Sequence, residues 1–78
     1  MCERSGSLIL KKIGAHIKEI RELKGISQQD LASSCNFEKA NMSRIESGRT
    51  NFTISTLHKI SQALEITISQ LVDIEEKD

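Results

Sequence analysis

The sequence contains no proline, no tryptophan and no tyrosine, and its only aromatic residues are Phe37 and Phe52. Packed strands ordinarily draw on aromatic side chains and proline-bearing turns, so these absences argue against a β-sandwich and for short helices packed on one another. No apolar run approaches the ~18 residues that a membrane-spanning helix needs. The opening residues, MCERSGSLILKKIG, hold no long apolar stretch followed by a small-residue cleavage site, which argues against a secretory leader. Cysteine is scarce too. Cys2 and Cys35 lie far apart, and with the two scattered histidines they form neither a disulfide framework nor a metal-ligand spacing. Two free thiols are expected, with no metal and no cofactor.

Catalysis is not expected either. Serine, histidine and aspartate all occur, yet no glycine-rich loop, nucleophile elbow or paired acidic motif arranges them for chemistry. A helical domain of 78 residues is near the size where one core is barely sufficient. It has little volume left for a deep pocket, and no small-molecule ligand is evident.

The formal net charge is zero, but the charges are unevenly placed. Asp73 to Asp78 holds four acids and one lysine, a net of −3, so residues 1–72 carry ten basic against seven acidic side chains, a net of +3. From Lys39 to Lys59 there are four basic residues and one acidic. The local sign governs contact with phosphate more than the total does.

What is present is helical periodicity. Residues 1–7 are polar and read as a disordered lead-in. From Leu8 to Lys24, Leu10, Ile13, Ile17 and Ile20 form one apolar stripe, and Gly25 supplies the left-handed residue that ends such a helix. Ser27 with Asp30 opens a second helix, which buries Leu31, Ala32 and Cys35; Asn36 turns the corner and Phe37 plugs it. Glu38 is a mediocre N-cap for a third helix, Lys39 to Ser47, which buries Met42 and Ile45 and stops at Gly48. At ~100° per residue, Ala40, Ser43, Arg44 and Ser47 share its opposite side, flanked by Lys39. Thr53 caps a fourth helix with Ile54, Leu57, Ile60 and Leu64 inward. Thr67 and Gln70 form a capping box for a fifth, with Ile68, Leu71, Val72 and Ile74 as apolar residues. The expectation is an all-α five-helix domain over residues 8–74, with an acidic tail at 75–78.

The third helix carries the functional information. A helix stabilised by burial alone has little use for Lys39, Asn41, Ser43 and Arg44 together, whereas base edges in a major groove are read by short polar and guanidinium groups.

Three blocks of the sequence, IG..IKEIRELKGISQQDLA, F....MSRIESGRTN and LHKISQALEITISQL, carry a family resemblance. From Ile13 to Leu71 the chain resembles the phage repressor and Cro type, or XRE-type, helix-turn-helix DNA-binding domain, a lambda-repressor-like fold. The resemblance implies that the helix from Gln28 lies across the DNA backbone while the helix from Lys39 reads bases. Residue by residue, it implies base contacts from Lys39, Ala40, Asn41, Ser43 and Arg44, and phosphate contacts from Gln28, Ser47, Arg49 and Thr50. It further implies a structural ion pair between Arg21 and Glu46. Asn36 and Glu65 stand where the family usually has glycine, and Phe52 where many members have proline.

The expected function is a sequence-specific double-stranded DNA-binding transcriptional regulator. It resembles Cro-like repressors and the controllers of restriction–modification systems, acting in a prokaryotic or phage cytoplasm at the nucleoid. One short helix covers too few base pairs to select a genomic site, so a homodimer on a two-fold operator is expected. Ile66, Ile68, Leu71 and Ile74 are its expected interface. The alternative is a protein-interaction module or an antitoxin built on the same fold; Leu23, off the main stripe of the first helix, is the residue that speaks for it. No membrane partner is expected.

Overall fold

In the computed structural model, which describes residues 2–74 and side chains from residue 8 onward, the chain forms α1 (Cys2–Leu23), α2 (Gln28–Ser34), α3 (Lys39–Ser47), α4 (Ile54–Leu64) and α5 (Ile68–Leu71). α1 packs on α3 and α5, α2 on α3 and α4, and α4 on α5. Ile13, Ile17, Leu31, Ala32, Cys35, Met42, Ile45, Leu57, Ile60, Leu64 and Leu71 form the core. Phe37 and Phe52 lie half-buried at its edge, so the interior is aliphatic as the composition demands. Each fully buried Ile or Leu contributes about 1.5–3 kcal/mol through burial.

The corners are built on one plan. Gly25, Asn36, Gly48 and Glu65 have φ of 72°, 63°, 76° and 61° and end α1, α2, α3 and α4. After each, an N–H reaches back five residues in the Schellman pattern: Ile26 to the Arg21 carbonyl, Phe37 to Ala32, Arg49 to Arg44 and Ile66 to Ser61, at 2.8–3.0 Å. Helix starts are equally local. Ser27 Oγ accepts from the Asp30 N–H at 3.0 Å, Thr53 Oγ1 from Thr56 at 3.2 Å, and Thr67 and Gln70 form the full reciprocal box.

Four sequence expectations need correction. α1 begins at Cys2, so the backbone of residues 2–7 is helical rather than a lead-in; extending an existing helix adds a hydrogen bond per residue without a new nucleus. Ile9, not Leu10, packs on the core beside Ile13. Ile54 is 68% exposed, because the first residue of α4 precedes the point where that helix meets a neighbour. Leu71, expected at a dimer interface, is 0% exposed: α5 spends it on the core of its own chain. The expected acidic tail, 75–78, lies outside the described residues.

α1 and α3 cross at unusually close range. A Cβ on Gly14 would stand 2.6 Å from the Glu46 carbonyl oxygen, and one on Gly48 would stand 2.6 Å from Lys11 Cα. No side chain fits at either place. The two glycines therefore fix how far α3 sits from α1, and with it where its outer face lies.

Candidate nucleic-acid interface

α3 is amphipathic along its length. Met42 and Ile45 are buried at 0% and 2%, and they hold the helix on α1 and α2. On the other side Lys39, Ala40, Ser43, Arg44 and Ser47 are exposed, with Asn41 half-buried at the edge. Nine residues at ~1.5 Å rise give a helix of ~13 Å, and a B-form major groove is ~12 Å wide. Glu38 provides no side-chain cap, so the first N–H groups of α3 have no side-chain acceptor from that residue.

The electrostatics are more one-sided than the sequence count indicates. Glu46, the single acid between Lys39 and Lys59, is 7% exposed. Arg21 Nε donates to its Oε2 at 2.8 Å and Nη2 to its Oε1 at 3.3 Å. Arg21 Nη1 also donates to the Ile26 carbonyl at 2.8 Å. The carboxylate is thus buried and neutralised, and the solvent side of α3 and its following loop presents Lys39, Arg44 and Arg49 with no acid among them. Arg21 and Glu46 belong to the scaffold, as a bidentate pair joining α1 to α3.

Gln28, the first residue of α2, joins the same network. Its Nε2 donates to Glu46 Oε1 at 3.0 Å, bringing α2 and α3 together at the surface that α3 presents. Sequence spacing gave no sign of this bond, because the partners are 18 residues apart.

The loop after α3 departs from the pattern of the other corners. At three of them the residue after the left-handed position is apolar and packs on the core: Ile26, Phe37 and Ile66. After Gly48 it is Arg49, which is exposed. An apolar residue there would serve folding better, so a cation at this one corner marks a surface with another use. Ser47 Oγ donates to the Arg44 carbonyl at 3.1 Å, and Thr50 Oγ1 to the Asn51 carbonyl at 3.3 Å. Both hydroxyl protons are committed to backbone in this state, and a phosphate contact from either requires the hydroxyl to turn.

Other titratable groups lie elsewhere. His16 Nε2 bonds the Gln70 carbonyl at 3.0 Å and ties α5 to α1. A carbonyl only accepts, so that nitrogen carries the proton. Cys35 is a buried free thiol whose pKa is raised by burial, partly offset by the Lys59 ammonium. Lys59 also sits 5.8 Å over the Phe37 ring. Among the described residues no group of three or more His, Cys, Asp or Glu could hold a metal ion, and no helix is long and apolar enough to cross a membrane.

The family model for the Cro/C1-type HTH DNA-binding domain matches residues 16–77. Control protein C.MunI from Mycoplasma sp is 34% identical over 68 residues, which cover 86% of this chain and 92% of that protein. The crystal structure of the restriction-modification controller protein C.AhdI from Aeromonas hydrophila superposes with a TM-score of 0.77 at 31% identity, covering 80% of this chain and 94% of that one. The HTH-type transcriptional regulator SinR of Bacillus subtilis (strain 168) is 37% identical over 62 residues, covering 78% of this chain but 56% of SinR. The chain belongs to the Cro/C1-type helix-turn-helix family, and it is a DNA-binding transcriptional regulator.

Proposed function

We propose that the protein binds a two-fold operator as a homodimer, placing one α3 helix in each of two successive major grooves ~34 Å apart. The observation that carries this reading is the outward face of α3, which is polar and cationic while the one acid of the helix is buried against Arg21. Arg44 bonds guanine bidentately, with Lys39, Asn41 and Ser43 reading neighbouring edges and the Ala40 methyl meeting thymine. Gln28, Ser47, Arg49 and Thr50 hold phosphates on either side, which sets register without reading sequence. Half-buried Ile66, Ile68 and Ile74 supply the apolar dimer surface, without Leu71.

Its similarity to restriction–modification control proteins and to a phage immunity repressor supports a Cro-like repressor or a restriction–modification controller. Such a regulator works without catalysis, at DNA, in a prokaryotic or phage-infected cytoplasm. The second reading is a protein-interaction module or antitoxin on the same fold, and Leu23, 82% exposed, is the residue that favours it.

The test is stoichiometry on DNA. Sedimentation of the protein with a duplex carrying an inverted repeat is expected to give two chains per duplex. A single chain bound with full affinity to one half-site contradicts the dimer.

A further inference from the structure

We propose that Glu46 is a positioning residue for DNA contact, acting through the side-chain amide of Gln28. This rests on the reading of the α2 start and the α3 face as the DNA-binding surface.

A carboxylate only accepts hydrogen bonds, so the bond to Glu46 Oε1 fixes which end of the Gln28 amide faces inward: it must be Nε2. Arg21 holds the same carboxylate, with Nε on Oε2 and Nη2 on the Oε1 that Gln28 also bonds. The amide orientation is therefore determined by a group two contacts away in α1. One Nε2–H is committed to Glu46, and the second is left for a phosphate oxygen. A glutamine free to rotate would present its oxygen to a phosphate as readily as its N–H, and would lose rotamer freedom on binding. Held by Glu46, it presents a donor in advance.

A carboxylate beside a phosphate would ordinarily oppose DNA. Here it does not, because Glu46 is 7% exposed and its charge is matched by Arg21 at 2.8 Å. The same pair that anchors α3 to α1 thus aims the first residue of α2. Gln28 lies at a helix start and Glu46 near a helix end, so the bond also sets the spacing between the backbone-contacting and base-reading helices.

The experiment is a binding cycle with the full chain on an operator duplex. Wild type, Gln28→Ala, the double variant Arg21→Met/Glu46→Met and the triple combination are compared, each after its folded fraction is checked by circular dichroism. Loss of a charged-acceptor hydrogen bond predicts about tenfold weaker binding for Gln28→Ala, equal across operator variants. The double variant is expected to lose a similar factor and the triple no more than either. A double variant that binds like wild type, or losses that multiply in the triple, overturns the proposal.

Nuclear Overhauser contacts between the Gln28 amide and the Glu46 Hγ protons in wild type give a readout that needs no variant to fold. They are expected to persist in the DNA complex, and their disappearance on binding overturns the proposal. If Gln28→Ala leaves affinity untouched while Arg44→Ala alters sequence preference, the positioning role fails and the DNA reading stands. If wild type binds no duplex, both fail.

Discussion

Gly14 of α1 lies so close to Glu46 of α3 that a Cβ at position 14 would sit 2.6 Å from the Glu46 carbonyl oxygen. α3 is thus seated backbone to backbone against α1. On an exposed helix, exchanging glycine for alanine gains about 1 kcal/mol of helix propensity. Here overpacking against fixed backbone costs about 1–3 kcal/mol and wins. Gly14→Ala is expected to lower the thermal midpoint, and an unchanged or raised midpoint would show that α3 can shift without cost.

Arg21 and Glu46 are the next lever. Removing one partner leaves the other charged and buried, which costs about 3–5 kcal/mol. A domain of this size holds only about 0.05–0.15 kcal/mol per residue in total. Arg21→Met alone is expected to leave a largely unfolded chain by urea titration, whereas Arg21→Met/Glu46→Met recovers most of the loss. Equal stability of the single and double variants would mean that the pair contributes little.

Much of this architecture was legible from residue types alone. Ser27, Thr53 and Thr67 announced helix starts, and Gly25, Asn36 and Gly48 announced ends, because capping depends on a few adjacent atoms. The inward stripe of α3 followed from the positions of Met42 and Ile45. What periodicity could not tell was where a helix runs out of neighbours. Ile54 is in phase with Leu57 and Ile60, yet it protrudes. Leu71 looked like surplus apolar surface until the core of its own chain accounted for it. The Gln28–Glu46 bond has no signature in the sequence, because no spacing rule joins a helix start to the end of the next helix. Arg49 is visible in the sequence as a cation after the helix, but only the folded corners side by side show that the other three carry an apolar residue at that position.

Glu65 offers a gain of stability. It holds φ of 61°, a conformation that costs an L-residue about 1–2 kcal/mol, while glycine loses about 0.5–1 kcal/mol through its freer unfolded chain. Glu65→Gly is expected to stabilise the domain by about 0.5–1 kcal/mol, a rise of several degrees in midpoint. A fall would show that the glutamate makes compensating contacts.

The buried thiol gives a pH signature. Burial raises the Cys35 pKa above its ordinary 9.0, with Lys59 pulling weakly the other way. The folded state thus favours the neutral thiol, so its contribution is complete below the unfolded pKa and declines as pH rises towards the folded value. Cys35 is expected to resist alkylation at neutral pH in the native protein, and stability is expected to fall on the alkaline side. Cys35→Ser should weaken that alkaline fall. Rapid labelling of the Cys35 peptide under native conditions would contradict its burial.

The proposed function turns on whether the outward face of α3 reads base sequence. Selection of a random duplex library on purified wild type and Arg44→Ala, in parallel and at ~150 mM salt, tests it most directly. Wild type is expected to enrich an inverted repeat, and Arg44→Ala to bind with a loss of about 1–3 kcal/mol and relaxed preference at one position of each half-site. The same repeat enriched with undiminished preference by the folded Arg44→Ala protein, or no enrichment by folded wild type, would rule out base reading by Arg44 on this face.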